Sequence, residues 1–301
     1  MRIRLNPIVK KDMQVTVRSM RISWGLFAYE AVLTIAFLLA LFVMQEASSY
    51  LGGGNIYSYL IYLFPVIAVA QVCIVALYVP IITASSISGE KERQTFDIML
   101  TTCMSPFSIV FGKVVSAVLR ILFLVAASTP IMALSFVVGG LSWSYLLYYL
   151  LALILFSVFS GSIGILASAF CRKSVAAVLL SFVMYFVIYF VTYIPLIYYA
   201  LFGRGKYGES MLLLLANPTV FFEEFFMQIM SGESIYGMAG GTFDPDEVGP
   251  LTYALAHGKV WMFVSAGCIL LISFLFMLLA AWKVNPMHSG SGRRRSKKKA
   301  G

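Results

Sequence analysis

The groups in this chain that could do chemistry are concentrated in one short stretch. Glu90, Lys91, Glu92 and Arg93 follow one another directly within "SGEKERQTFDIMLTTCMSPFSIVFGK", residues 88–113, after a run over 59–87 that carries no charge. Acids and bases in immediate succession beside Gly89 can hold a partner by charge. They do not make the paired-carboxylate or nucleophile-and-base arrangement that covalent turnover requires. Two further ionisable residues, Glu30 and Arg120, stand inside apolar sequence, where such a group marks function by default. Glu30 lies nine residues beyond Arg21 and Arg120 seven beyond Lys113. With a rise of about 1.5 Å per residue both sit roughly 10 to 14 Å from a basic marker. An interhelical ion pair between them is expected; the alternative is that Arg120 snorkels to the inner interface while Glu30 faces a wet groove.

Other chemistries are missing from the text of the chain. There is no GxxxxGK[ST] loop to cradle a nucleotide: Lys113 and Lys259 each follow a glycine, but Phe107 and Tyr253 stand where the first loop glycine is needed. His257 and His288 are the two histidines, and neither HExxH nor GxSxG occurs. Cys73, Cys103, Cys171 and Cys268 form no CxxC spacing and no disulfide framework. No cofactor or metal is expected on this chain, and any energy source must come from another polypeptide.

The elements that must position these groups are membrane helices. Of 301 residues 60% are hydrophobic and 12% charged, where a soluble domain carries about 25% charge; mean hydropathy is +0.90. A bilayer crossing takes about 20 apolar residues, and six stretches qualify: 23–44, 59–87, 108–138, 143–170, 174–202 and 260–283. The expected fold is an all-α membrane protein. Its permease domain would occupy 23–283, between an amphipathic basic segment over 1–22 that lies on the inner leaflet and a basic disordered tail over 284–301. The first twenty residues lack the apolar stretch of a cleavable signal, so they are expected to remain.

Lys and Arg bias sets the orientation. The N-terminal segment, the 88–113 connection, Arg172 with Lys173, and the "RRRSKKK" tail are basic; the loop over 203–259 has three basic residues against seven acids. Both termini are therefore predicted to be cytoplasmic, in a multi-pass protein of the cell membrane. Within that outer loop, "MLLLLANPTVFFEEFFMQIM" is apolar on both sides of Asn217 and Pro218. Proline breaks the helix and pushes Asn217 toward an extended conformation, leaving either short re-entrant helices or an interfacial helical cap. In the fourth span Ser157, Ser160, Gly161, Gly164 and Ser168 form a small-residue row that allows close helix packing, within the subunit or at a dimer seam. The aromatic fifth span, "YFVIYFVTYIPLIYY", reads as packing or lipid-facing surface, with a lipophilic substrate path as the alternative.

The charged stretch resembles the membrane subunits of type-2 ABC exporters. Their second and third spans are typically joined by Gly-Glu-x-Glu-x-Gly-Thr, a leucine-rich helical turn, Pro-x-Ser and Gly-Lys. This chain has "GEKERQT" (89–95), "FDIMLTT" (96–102), "CMSPFS" (103–108) and "GK" (112–113), departing at Gln94 where Gly is usual and at Cys103 where Pro is usual. The resemblance implies a coupling helix at about 89–104, crosswise to the bundle, that begins near Gly89 and touches an ABC ATPase subunit. Glu90, Glu92, Arg93, Thr95, Phe96 and Leu100 are the expected contacts. It also implies ATP and Mg acting through that partner, a second permease subunit, equal or similar, and an extracellular gate at Asn217, Pro218, Glu223 and Glu224. Membrane lipids are expected partners and nucleic acid is not. Cargo would be a lipid, polysaccharide, peptide or hydrophobic drug. The rival expectation is an ATP-independent polytopic protein, either a secondary carrier, which should show inverted repeats, or a lipid-modifying enzyme, which should show a ligand cluster at one face.

Overall fold

The computed structural model describes residues 20–50, 60–96, 105–202, 211–230 and 260–285, with the single positions 9, 14, 232 and 255. The rest of the N-terminal segment, of the coupling stretch, of the outer loop and of the tail lies outside the described residues. Among those described there are seven α-helices and no strand: α1 (Met20–Tyr50), α2 (Leu63–Glu92), α3 (Pro106–Gly139), α4 (Trp143–Phe170), α5 (Ser174–Phe202), α6 (Pro218–Met230) and α7 (Val260–Val284). All but α6 are long and apolar enough to cross a membrane. Unbroken apolar runs force this outcome, because a helix satisfies every backbone polar group within the segment.

The fourth and fifth helices have the bounds expected from sequence. The second and third run further. Helix α2 continues to Glu92, and α3 starts at Pro106 because Ser105 caps it: the Ser105 hydroxyl accepts from the Ser108 N–H at 3.2 Å, and a proline suits a first turn. At its other end α3 stops on Gly140, held at φ 66°. A Cβ on Gly139 would stand 3.2 Å from the Leu60 carbonyl oxygen, so α3 ends level with the start of α2. About 20 residues span the 30 Å hydrocarbon, and counting from Leu63 and back from Gly139 reaches Ile82 and Arg120. The remaining turns of both helices therefore project beyond the hydrocarbon at the end that carries the charged cluster.

Helix α4 is the centre of the bundle, with 72% of its most apolar window buried. Gly164 and Ser168 face α2. A Cβ on Gly164 would overlap Thr83 Oγ1 and lie 3.1 Å from the Ala84 backbone nitrogen, while the Ser168 hydroxyl oxygen accepts from the N–H groups of Ile87 at 3.0 Å and Ser88 at 2.8 Å. Gly164 and Ser168 thus build the α2–α4 seam inside one subunit.

A buried polar knot ties four helices at mid-depth. Gln71 on α2 donates through Nε2 to Tyr29 Oη of α1 at 2.7 Å and to Ser128 Oγ of α3 at 3.2 Å. The Tyr149 hydroxyl of α4 donates to Gln71 Oε1 at 3.1 Å and to the Ala68 carbonyl at 3.0 Å. Interhelical hydrogen bonds in a membrane contribute about 0.6 kcal/mol each, with a maximum near 1.7. Gln71→Leu removes three of them, so we expect a loss of about 2 kcal/mol, read as a lower thermal midpoint of the detergent-purified protein. An unchanged midpoint would mean that the knot adds nothing.

Away from the charged end, Leu213–Ala216 forms one 3-10 turn, and α6 follows Asn217. Phe222 of α6 packs edge-on to Phe156, midway along α4, with ring centroids 5.5 Å apart, and Phe226 reaches Phe64 at 6.2 Å. Helix α6 is part of the core of the bundle.

Candidate functional site

The site is built on the last turn of α2. Sequence reading placed Glu90 and Glu92 at the start of a coupling helix; the structure places them at the end of a membrane-length one. The partial negative charge at a helix C-terminus disfavours acids there, and each is offset by a group from another helix. Glu90 Oε1 accepts from Lys113 Nζ of α3 at 2.8 Å, the lysine side chain being 10% exposed and the glutamate 26%. Glu92 Oε2 accepts from the Ser174 backbone N–H at 3.1 Å and its hydroxyl at 2.8 Å, which sets a carboxylate at the positive first turn of α5. Between them Lys91 Nζ donates to the last carbonyls of α4: Ala169 at 2.6 Å, Ser168 at 3.3 Å and Cys171 at 3.4 Å. Three consecutive side chains thus clamp the ends of α3, α4 and α5.

The chain leaves this clamp by a tight stop. The Gln94 N–H bonds to the Lys91 carbonyl at 3.2 Å and the Thr95 N–H to the Glu90 carbonyl at 3.0 Å. Gln94 sits at φ 60°. This is the Schellman closure, whose left-handed residue is usually glycine. The departure at Gln94 therefore costs backbone strain at a helix end. Gln94→Gly should raise stability by about 1 kcal/mol, seen as a higher thermal midpoint; a lower one would show that the glutamine side chain offsets the strain.

Glu90, Glu92, Arg93 and Thr95 line one open cleft of about 790 Å3, together with Ser85, Ser86 and Ser174. Arg93 and Thr95 are exposed. Phe96 is half-buried beneath Lys91, whose ammonium stands 5.6 Å from the ring, and it packs on the cluster containing Ile87, Val110 and Ile165. Leu100 lies outside the described residues. Glu90 Oε2 is buried and meets no hydrogen-bond donor among the described residues.

The expected ion pair of Glu30 and Arg120 is not formed. Glu30 Oε1 and Arg120 Nε are both buried without a partner among the described residues. Register is the reason. Tyr29, beside Glu30, reaches Ser128 at 3.1 Å, and Arg120 lies two turns further along α3, about 12 Å away. Distances counted from basic loop residues had implied equal depth, but α1 and α3 do not enter the bundle at the same level.

Asn217 and Pro218 form a built corner. Asn217 is extended at φ −94°, ψ 116°, as proline following it requires. It is fully buried; its Oδ1 accepts from the Thr219 N–H at 2.9 Å, and its Nδ2 donates to Thr192 Oγ1 of α5 at 2.8 Å. The Ser265 hydroxyl of α7 donates to the Leu215 carbonyl at 2.8 Å. Glu224 is fully buried, accepting from Gln228 Nε2 at 3.1 Å, whereas Glu223 is exposed, so the two acids do not act as a pair. The clamp residues Lys91, Lys113 and Ser174 and the amide Gln71 were not singled out from sequence for these roles. Gln71 left a signal, as an amide inside a charge-free span; the clamp left none, because its partners are distant in the chain.

Six membrane-length helices, four of them joined at one end by a charged clamp, define a polytopic membrane component. The family model for ABC-2 family transporter proteins matches residues 48–282. The chain belongs to that family and is the membrane permease component of an ABC transporter. No curated protein matches it.

Proposed function

We propose that the chain is the permease subunit of an ATP-binding cassette exporter, sitting in the cell membrane with both termini in the cytoplasm and driven by ATP and Mg held on a separate ATPase subunit. The carrying observation is the open cleft at the end of α2, where Glu90, Glu92, Arg93 and Thr95 meet. An ATPase surface bearing a basic or amide group suits that cleft. Force applied to it reaches α3, α4 and α5 together through the clamp, so movement of one docking point becomes movement of the bundle. Two such permeases enclose the path, and loss of cargo affinity in the ATP-closed state drives release. Asn217 and Pro218, with Glu223 and Glu224, form the outer gate. The cargo belongs among lipids, polysaccharides, peptides and hydrophobic drugs.

Arg93 is exposed and takes no part in the clamp, so it tests docking apart from folding. The permease with an ATPase encoded beside it should co-purify, and Arg93→Glu should weaken that capture by about tenfold, as loss of a charged contact at an interface does, without moving the thermal midpoint. If no ATPase is captured and transport persists with Arg93→Glu, the exporter reading fails.

A further inference from the structure

A second polar cavity lies one turn above the clamp, between α2 and α3. It measures about 230 Å3 and is lined by Thr83, Ser85, Ser86, Lys113, Ser116 and Arg120. Its chemistry is cationic. Lys113 is engaged by Glu90, whereas Arg120 has no acidic partner among the described residues and its Nε is buried unmet. The four hydroxyls spend their protons on their own helices: Thr83 on the Val79 carbonyl at 2.8 Å, Ser85 on Ile82 at 3.0 Å, Ser86 on Thr83 at 2.7 Å and Ser116 on Gly112 at 2.9 Å. Ser85 and Ser86, both half-buried, offer acceptor oxygens at the cavity wall, and the guanidinium supplies its donors.

Depth selects the ligand. Counted over about 30 Å of hydrocarbon from the aligned far ends of α2 and α3, Arg120 falls at the boundary where lipid phosphates lie. An unpaired guanidinium in a half-enclosed pocket recognises a phosphate through parallel N–H bonds, and hydroxyl acceptors beside it suit a headgroup that carries hydroxyls of its own. The geometry points to Arg120 as the anchor of a binding site for the phosphate of an anionic, hydroxyl-bearing lipid, held between α2 and α3 directly above the coupling clamp. Such a lipid would wedge the two helices that the Glu90–Lys113 pair joins, whatever cargo the transporter moves.

The test uses the purified full chain in neutral detergent, titrated with phosphatidylglycerol, phosphatidylcholine or inorganic phosphate and read by native mass spectrometry and thermal midpoint. Phosphatidylglycerol should bind saturably and raise the midpoint. Arg120→Gln should weaken its binding about tenfold, the loss of one charge-assisted hydrogen-bonding group, and Arg120→Lys should retain part of it. Phosphatidylcholine should bind more weakly, and inorganic phosphate should neither bind nor compete. Equal lipid binding by Arg120→Gln and the unaltered chain overturns the site. Competition by inorganic phosphate at equal concentration overturns the lipid and assigns a soluble phosphate instead. If Arg120→Gln does not fold, Ser86→Leu, which fills the cavity from a half-buried position, must lower lipid binding; unchanged binding again overturns the site. None of these readouts involves the ATPase, so this result and that of the Arg93 experiment fail independently.

Discussion

Gly164→Leu should abolish the folded protein, and even Gly164→Ala should cost about 3 kcal/mol, at the upper end of what overpacking costs. The cause is local. An added Cβ at 164 overlaps Thr83 Oγ1 and comes within 3.0 Å of Thr83 Cβ and 3.1 Å of the Ala84 nitrogen. The threonine hydroxyl cannot turn away without losing its bond to the Val79 carbonyl, and the Ala84 backbone cannot turn at all. Separating α2 from α4 to make room would also pull Ser168 from the Ile87 and Ser88 N–H groups. Gly161 is the control. A Cβ there meets Val114 Cγ1 at 3.4 Å, so Gly161→Ala should stay within about 1 kcal/mol of the unaltered protein. Fluorescence-detected size exclusion after heating reads both. Thr83→Ala should restore part of the Gly164→Ala loss, not all, because the backbone contact remains. Equal midpoints for Gly161→Ala and Gly164→Ala would show that the seam is looser than described.

Reversal of the Glu90–Lys113 pair is expected to separate stability from coupling. Glu90→Lys sets two ammonium groups together, one of them 10% exposed, and removing the partner of a buried charge costs about 3 to 5 kcal/mol. Because Glu90 is 26% exposed, solvent screening lowers the expectation to about 2 kcal/mol. The double exchange Glu90→Lys with Lys113→Glu restores the pair and should return the thermal midpoint close to its starting value. Transport-coupled ATP hydrolysis should remain at least about tenfold low if the ATPase docks, as proposed, on the acid at position 90, since that contact is lost in either background. If coupling recovers together with stability, Glu90 is an internal clamp residue alone, and docking rests on Arg93 and Thr95.

Membership of an all-helical membrane class was legible without coordinates, and so were the bounds of α4 and α5, because helix existence in lipid follows from the length of apolar runs alone. The Asn217–Pro218 break was legible as well, since proline restricts its own φ and the residue before it whatever surrounds them. The cluster at 88–95 was found, but its direction was misread. Glu90 and Glu92 near Gly89 carry the local marks of a helix start, and what reverses the reading is Lys113 and Ser174, 23 and 82 residues away from the acids they meet.

Composition and pattern by themselves determined that this chain is a membrane protein with six membrane-length apolar segments, which loops are basic, and where charge concentrates; these are properties of single segments and their solvent. Only the tertiary structure decided that Glu30 and Arg120 miss one another, that Lys91, Glu92 and Lys113 join four helix ends, and that Arg120 overlooks a polar cavity. Those outcomes depend on the relative depth and rotation of helices, set by close contacts such as Gly164 against Thr83 and by the Gln71 knot. A spacing along one helix carries no information about the register of another.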